Sequence, residues 1–72
     1  MERKRYLELC QQSAVGIGGV VLYKGIQYIP NGYELGFDKS GSSIHRAILK
    51  DKIANSLVYC KLEEVFEDEK KG

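Results

Sequence analysis

The chain has little of several residue types on which small proteins often depend. Its 72 residues include no tryptophan, one proline, one histidine and two cysteines. Two cysteines are too few for the disulfide framework of a small secreted protein. Cys10 and Cys60 could form one bridge by count alone, but in a reducing compartment we expect two buried free thiols.

Long apolar runs and an excess of one charge are also absent. No stretch approaches the roughly 18 apolar residues of a membrane span, and Glu8, Gln11 and Gln12 interrupt any signal-like segment near the start. Eleven basic and ten acidic residues leave a net charge of +1, which argues against strong sequence-independent binding of nucleic acid. We therefore expect a cytoplasmic protein that does not contact a membrane.

The length allows one domain, and its composition is that of a folded protein. Hydrophobic residues make up 43% of the chain and charged residues 29%, as in ordinary globular domains. So short a chain buries only about 60–65% of its unfolded surface, so its stability margin is thin. We divide it into an N-terminal helix (1–15), a glycine-rich joint (16–19), a β meander (20–62) and an acidic, partly frayed tail (63–72).

The first segment has the apolar spacing of a helix. Tyr6, Leu9, Cys10 and Ser13 fall at i, i+3, i+4 and i+7 between good helix formers. This stripe is too weak to hold an isolated helix in water. The helix must therefore pack on the face or end of the β meander.

The remainder reads as short strands separated by turns. Lys24-Gly25 and Lys39-Ser40-Gly41 have turn composition, whereas Pro30-Asn31-Gly32 predicts an edge, kink or break. The predicted strands are Val20–Tyr23, Ile26–Ile29, Tyr33–Phe37, Ser43–Leu49 and Leu57–Leu62, with one helical turn within Lys50–Ser56.

The fold class that follows is α+β and mainly β. An N-terminal helix precedes about five short antiparallel strands, whose edges need closure or a covering helix. We predict a small SH3-like barrel or a strongly bent sheet. The likeness to SH3 domains is one of architecture and carries no function.

No residue pattern predicts catalysis or a bound metal. Cys10, His45 and Cys60, with Asp38 or Asp51, are candidate ligands, but they lack the paired spacing of zinc sites. A Cys60–His45 pair would need a cleft, and a chain this small rarely has room for a pocket of about 300 Å³. We therefore predict neither an enzyme nor a cofactor.

Binding is the remaining class of function, and the candidate residues are cations and tyrosines. Arg3-Lys4-Arg5 could join Arg46 and the rings of Tyr28 and Tyr33 in one surface. The leading hypothesis is a protein-interaction module that binds a protein partner or forms a homodimer. The alternative is weak binding of nucleic acid, with phosphates on the cations and bases on the tyrosines.

Several segments resemble known sequences without known function. Tyr33-Glu34-Leu35-Gly36-Phe37-Asp38 and Ala54–Cys60, with Tyr23-Lys24-Gly25 and Tyr28–Gly32, are similar to parts of short uncharacterised proteins of Firmicutes. Some of those proteins are encoded near mobile or phage-derived elements. The resemblance covers about Val20–Leu62 and implies a bacterial, accessory context, but it assigns no role to any residue.

Overall fold

The computed structural model of the protein describes residues 1–68. Within that range no helix is long and apolar enough to cross a membrane. The described residues form one α-helix, five strands and one short 3₁₀ helix. In chain order these are α1 (Arg3–Ala14), β1 (Val21–Tyr23), β2 (Ile26–Phe37), β3 (Ser43–Lys50), β4 (Leu57–Lys61), the 3₁₀ helix (Leu62–Glu64) and β5 (Val65–Glu67).

The five strands form one antiparallel sheet in the order β4-β3-β2-β1-β5. The first part of β2 pairs with β1 and the remainder pairs with β3. β2 is therefore shared by both halves of the sheet. The sheet does not close on itself, so of the two predicted architectures the strongly bent sheet describes the protein.

The predicted break at Pro30-Asn31-Gly32 is a bulge inside one continuous strand. Pro30 lies opposite Leu49 and Gly32 opposite Ile48, which leaves Asn31 as the extra residue on β2. Prolines inside sheets are found at bulges, where the ladder is disrupted locally. Pro30, next to the unpaired Asn31, therefore does not end the strand. The strands predicted at Ile26–Ile29 and Tyr33–Phe37 are therefore one strand.

The sheet extends beyond Leu62, where the sequence prediction ends the β meander. Val65 lies opposite Tyr23 on β1 and is fully buried, so core packing holds β5 although the surrounding tail is acidic. The helical element before this strand is at Leu62–Glu64, whereas 52–54 form a turn. The expected fraying of 69–72 lies outside the described residues.

The core lies between α1 and one face of the sheet, which we call the inner face. α1 contributes Tyr6 and Leu9, which are buried as the helical spacing predicts. Behind Leu9 the glycine-rich joint passes very close to the helix. A Cβ on Gly19 would lie 2.9 Å from the carbonyl oxygen of Leu9. The buried residues of the sheet and the 3₁₀ helix are Val21, Tyr28, Ala47, Leu49, Cys60, Leu62 and Val65.

Candidate functional site

The cations at the start of α1 do not act as one group. The guanidinium of Arg5 pairs with Glu67 on β5, with its Nε 3.2 Å from Oε2, and reaches Glu8 at 3.3 Å. Hydrogen bonding to Arg5 lowers the pKa of Glu67. Arg5 thus ties the helix to an edge strand, while the neighbouring Lys4 is exposed.

Two further residues of the predicted surface are engaged within the fold. Arg46 pairs across strands with Glu34, at 3.1 Å between Nη1 and Oε1. Tyr28 is buried opposite Val21, and its ring centroid is 6.2 Å from that of Tyr23. The ring of Tyr28 therefore belongs to the core rather than to an exposed surface.

Arg3 lines a cleft, and Tyr33 contacts another of its lining residues, His45. The volume of the cleft is about 730 Å³, larger than the pocket size that the chain length led us to expect. The first turn of α1, the tip of the β2–β3 hairpin and the junction of β4 with the 3₁₀ helix form its walls. The lining residues are Arg3, Asp38, Ser43, Ile44, His45, Lys61, Leu62 and Glu63.

His45 is the lining residue whose geometry the structure defines best. It lies next to Tyr33, with the ring centroids 5.8 Å apart and the planes inclined by 26°. The Tyr33 hydroxyl makes a hydrogen bond with Nδ1 of His45. This contact orients the imidazole ring, and Nε2 is the ring nitrogen that it leaves free.

The carboxylate of Asp38 is already engaged by its own turn. Its Oδ1 accepts hydrogen bonds from the backbone N–H of Ser40 at 2.9 Å and of Ser42 at 3.0 Å, and from the Ser40 hydroxyl at 2.6 Å. These donors lower the pKa of Asp38. The carboxylate is therefore a structural element of the β2–β3 turn, although the residue lines the cleft.

Arg3 and Lys61 differ from Arg5 and Arg46 in that they form no ion pair within the described residues. Within residues 1–68, ion pairs form at Arg5 and Arg46 and none forms at Arg3 or Lys61. Glu63 also has no ion pair in this range. The cleft therefore presents two uncommitted cations and one uncommitted carboxylate.

Neither thiol has the surroundings of a nucleophile. Cys60 is buried and Cys10 half-buried, and both are free. Burial raises the pKa of both thiols, and nearby Glu64 raises that of Cys60 further, so each is protonated at neutral pH. In the part of the chain that the structure describes, no three potential ligands lie close enough together to hold a metal ion.

A second candidate surface consists of the two outer strands of the sheet. Within residues 1–68, β4 pairs with β3 alone and β5 pairs with β1 alone. Exposed apolar side chains accompany both strands: Tyr59 on β4 is 57% exposed and Phe66 on β5 is 64% exposed. Neither ring was among the binding residues predicted from the sequence. The signal for Tyr59 was present, because alternation within the predicted strand Leu57–Leu62 directs it away from a buried Cys60.

Comparison of the chain with protein-family models, with curated proteins and with solved structures finds no match. The resemblance to short Firmicutes proteins therefore stays a prediction. The function is therefore inferred from the cleft and from the sheet edges.

Proposed function

We propose that the protein is a non-enzymatic interaction module that binds protein through the edges of its sheet. The observation that carries this proposal is that the outer sides of β4 and β5 have no neighbouring strand among the residues that the structure describes. An edge strand presents free N–H and C=O groups that template pairing with another strand. Proteins usually protect such edges with charge, proline or a cover, whereas here each edge carries an exposed aromatic ring.

The partner that best fits these edges is a second copy of the chain, joined β4 to β5. Antiparallel pairing that places Phe66 opposite Tyr59 of the other copy also places Val65 opposite Cys60. Val65 and Cys60 both belong to inner faces. The sheet would therefore continue from one copy to the next with the inner faces of both copies on the same side. The aromatic pair on the other face would add cross-strand packing.

Pairing of β4 with β5 is favoured over pairing of two identical strands, because it leaves fewer strand edges exposed. A β4–β4 dimer leaves both β5 edges open, and a β5–β5 dimer leaves both β4 edges open. Successive β4–β5 contacts use both edges of every copy, and such head-to-tail contacts end in a ring when the rotation closes. The edges are then protected as they are in a closed barrel.

Size-exclusion chromatography with light scattering tests self-association. The wild-type mass should exceed that of the 8.1 kDa chain, and Tyr59→Lys and Phe66→Lys should each reduce it. A matched control is Ile53→Lys, because Ile53 is 97% exposed in a turn away from both edges. Circular dichroism verifies that each variant is folded.

Mixing the two edge variants distinguishes the modes of pairing. Tyr59→Lys keeps an intact β5 edge and Phe66→Lys keeps an intact β4 edge, so the mixture should form a one-to-one heterodimer. If like edges pair instead, one variant alone stays dimeric and the mixture gains nothing. A wild-type chain that is monomeric at every concentration would overturn self-association as the function.

A further inference from the structure

We propose that the cleft between α1, the β2–β3 hairpin and the 3₁₀ helix binds the phosphate group of a nucleotide. The proposal does not rest on self-association, although Lys61 is the last residue of the β4 edge. Its basis is the convergence of uncommitted donors from three separate elements on one cavity of about 730 Å³. Arg3 comes from α1, His45 from β3 and Lys61 from the end of β4.

The free groups of the cleft favour an anion over a cation. The formal charges of Arg3 and Lys61 are balanced by those of Asp38 and Glu63, but Oδ1 of Asp38 already accepts three hydrogen bonds from its own turn, which partly offset its charge. One free carboxylate cannot hold a metal, which takes several oxygen or nitrogen ligands. Two free cations can chelate a phosphate with charge-assisted hydrogen bonds.

His45 supplies a further hydrogen-bond donor beside these cations when the Tyr33 hydroxyl donates to its Nδ1. Its Nδ1 is occupied by the Tyr33 hydroxyl, and the part of the chain that the structure describes offers no recorded hydrogen bond to Nε2. Because the stacked Tyr33 ring orients the imidazole, a hydrogen bond from Nε2 to a phosphate oxygen would cost little side-chain entropy. Tyr33 is thus a positioning residue for His45.

The apolar surroundings favour a nucleotide over a simple anion. Ile44 and Leu62 form part of the cleft wall. Phe37 is directly opposite the lining residue Ser43 on the adjacent strand, and it is 68% exposed. An exposed aromatic ring next to a phosphate site is a platform on which a base can stack. The ligand chemistry is therefore a phosphate ester that carries a flat ring.

Titration of the ¹⁵N-labelled protein, followed by its amide resonances at low salt, tests the proposal. The probes are inorganic phosphate, adenosine monophosphate and a short single-stranded oligothymidylate. We expect shifts at Arg3, at Ser43–His45 and at Lys61–Glu63, with the nucleotide tighter than inorganic phosphate. A tighter oligonucleotide identifies a nucleic-acid strand as the source of the phosphate, and equal affinity identifies the free nucleotide.

Charge variants distinguish binding in the cleft from nonspecific attraction between the ligand and the protein surface. Arg3→Gln and Lys61→Gln should each weaken nucleotide binding by about tenfold, the effect of one charge-assisted hydrogen bond. Glu63→Gln should tighten it. Lys52→Gln removes the same charge from an exposed turn outside the cleft and should leave affinity unchanged. Absence of shifts with all three probes, or equal weakening by Lys52→Gln, would overturn the proposal.

Discussion

The hydroxyl of Tyr6 donates a hydrogen bond to the carbonyl oxygen of Gly32 at a distance of 2.6 Å. Tyr6 is on the helix and Gly32 ends the bulge of β2, so a single side chain joins α1 to the bend of the sheet. The same hydroxyl lies 3.2 Å from the carbonyl oxygen of Ile48 on the adjacent strand. The ring is fully buried, so the position of the helix and the geometry of the bend are coupled.

Tyr6→Phe should lower the free energy of unfolding by about 1–3 kcal/mol, because it leaves carbonyl groups without this donor while the ring still fills the core. Urea denaturation followed by circular dichroism measures the change. Tyr59→Phe is the matched control, since its hydroxyl is on an exposed edge, and should change stability by less than about 0.5 kcal/mol. Equal effects of the two substitutions would contradict the role assigned to Tyr6.

Gly16 and Gly19 form a natural pair for separating backbone strain from steric clash. Their φ angles are +80° and +82°, but only at Gly19 would a Cβ meet a neighbour, the Leu9 carbonyl oxygen at 2.9 Å. Gly16→Ala should cost about 1 kcal/mol for the left-handed backbone alone. Gly19→Ala should cost clearly more, because helix and joint must separate. Thermal and urea unfolding of both variants test this order, and equal costs would show that the joint relaxes freely.

Asp38 and Asp51 should make the protein sensitive to acid. Asp51 accepts backbone hydrogen bonds from Ile53 at 2.7 Å and Ala54 at 2.8 Å, and the turn donors of both residues lower the pKa of their carboxyls. The unfolded chain, with an aspartate pKa of about 3.9, then binds more protons than the folded one. Their stabilisation is therefore fully present above that pH and is lost as pH falls through the lowered folded pKa values.

Asparagine at both positions keeps an acceptor oxygen but does not titrate. The urea midpoint of Asp38→Asn/Asp51→Asn should therefore vary less with pH below about 4 than that of the wild type. An unchanged slope in this window would mean that other carboxyls control the acid transition.

The thiols should react slowly in the folded protein. Burial raises the pKa of Cys60 and Cys10, which lowers the thiolate fraction, and Cys60 is only 6% exposed. We expect dithiobisnitrobenzoate to modify Cys60 at least about tenfold more slowly than free cysteine at neutral pH. Single variants Cys10→Ala and Cys60→Ala assign the two rates. A Cys60 that reacts as fast in buffer as in urea would contradict its place in the core.

The part of the fold that follows local periodicity was predictable from sequence. The spacing of Tyr6 and Leu9 predicts both the helix and its buried side, and Lys24-Gly25 predicts the hairpin between β1 and β2. The continuity of β2 was not predictable, because a proline next to a glycine is equally typical of a turn and of a bulge. β5 was missed because its three residues lie among acids and owe their order to pairing with β1.

For the candidate sites too, the sequence shows which residues are neighbours along the chain but not which residues the fold brings together. Composition drew attention to Arg3, Lys4 and Arg5 together, but helical geometry sends neighbours to different sides, and Arg5 meets Glu67. Tyr28 and Tyr33 look equivalent in sequence, yet Tyr28 lies in the core while Tyr33 contacts His45, a lining residue of the cleft. Lys61 could not be connected with Arg3 without the sheet order, since most of the chain separates them.

The pairing of β5 with β1 has a consequence for the protein during synthesis. Val21 emerges from the ribosome well before Glu67, its partner in the ladder, so β1 must wait with an open side while β2, β3 and β4 fold by local contacts. Pairing between segments so distant along the chain is a slow step that exposes an edge to foreign strands. Until β5 arrives, a nascent chain would be open to wrong pairing with neighbouring chains on the same message.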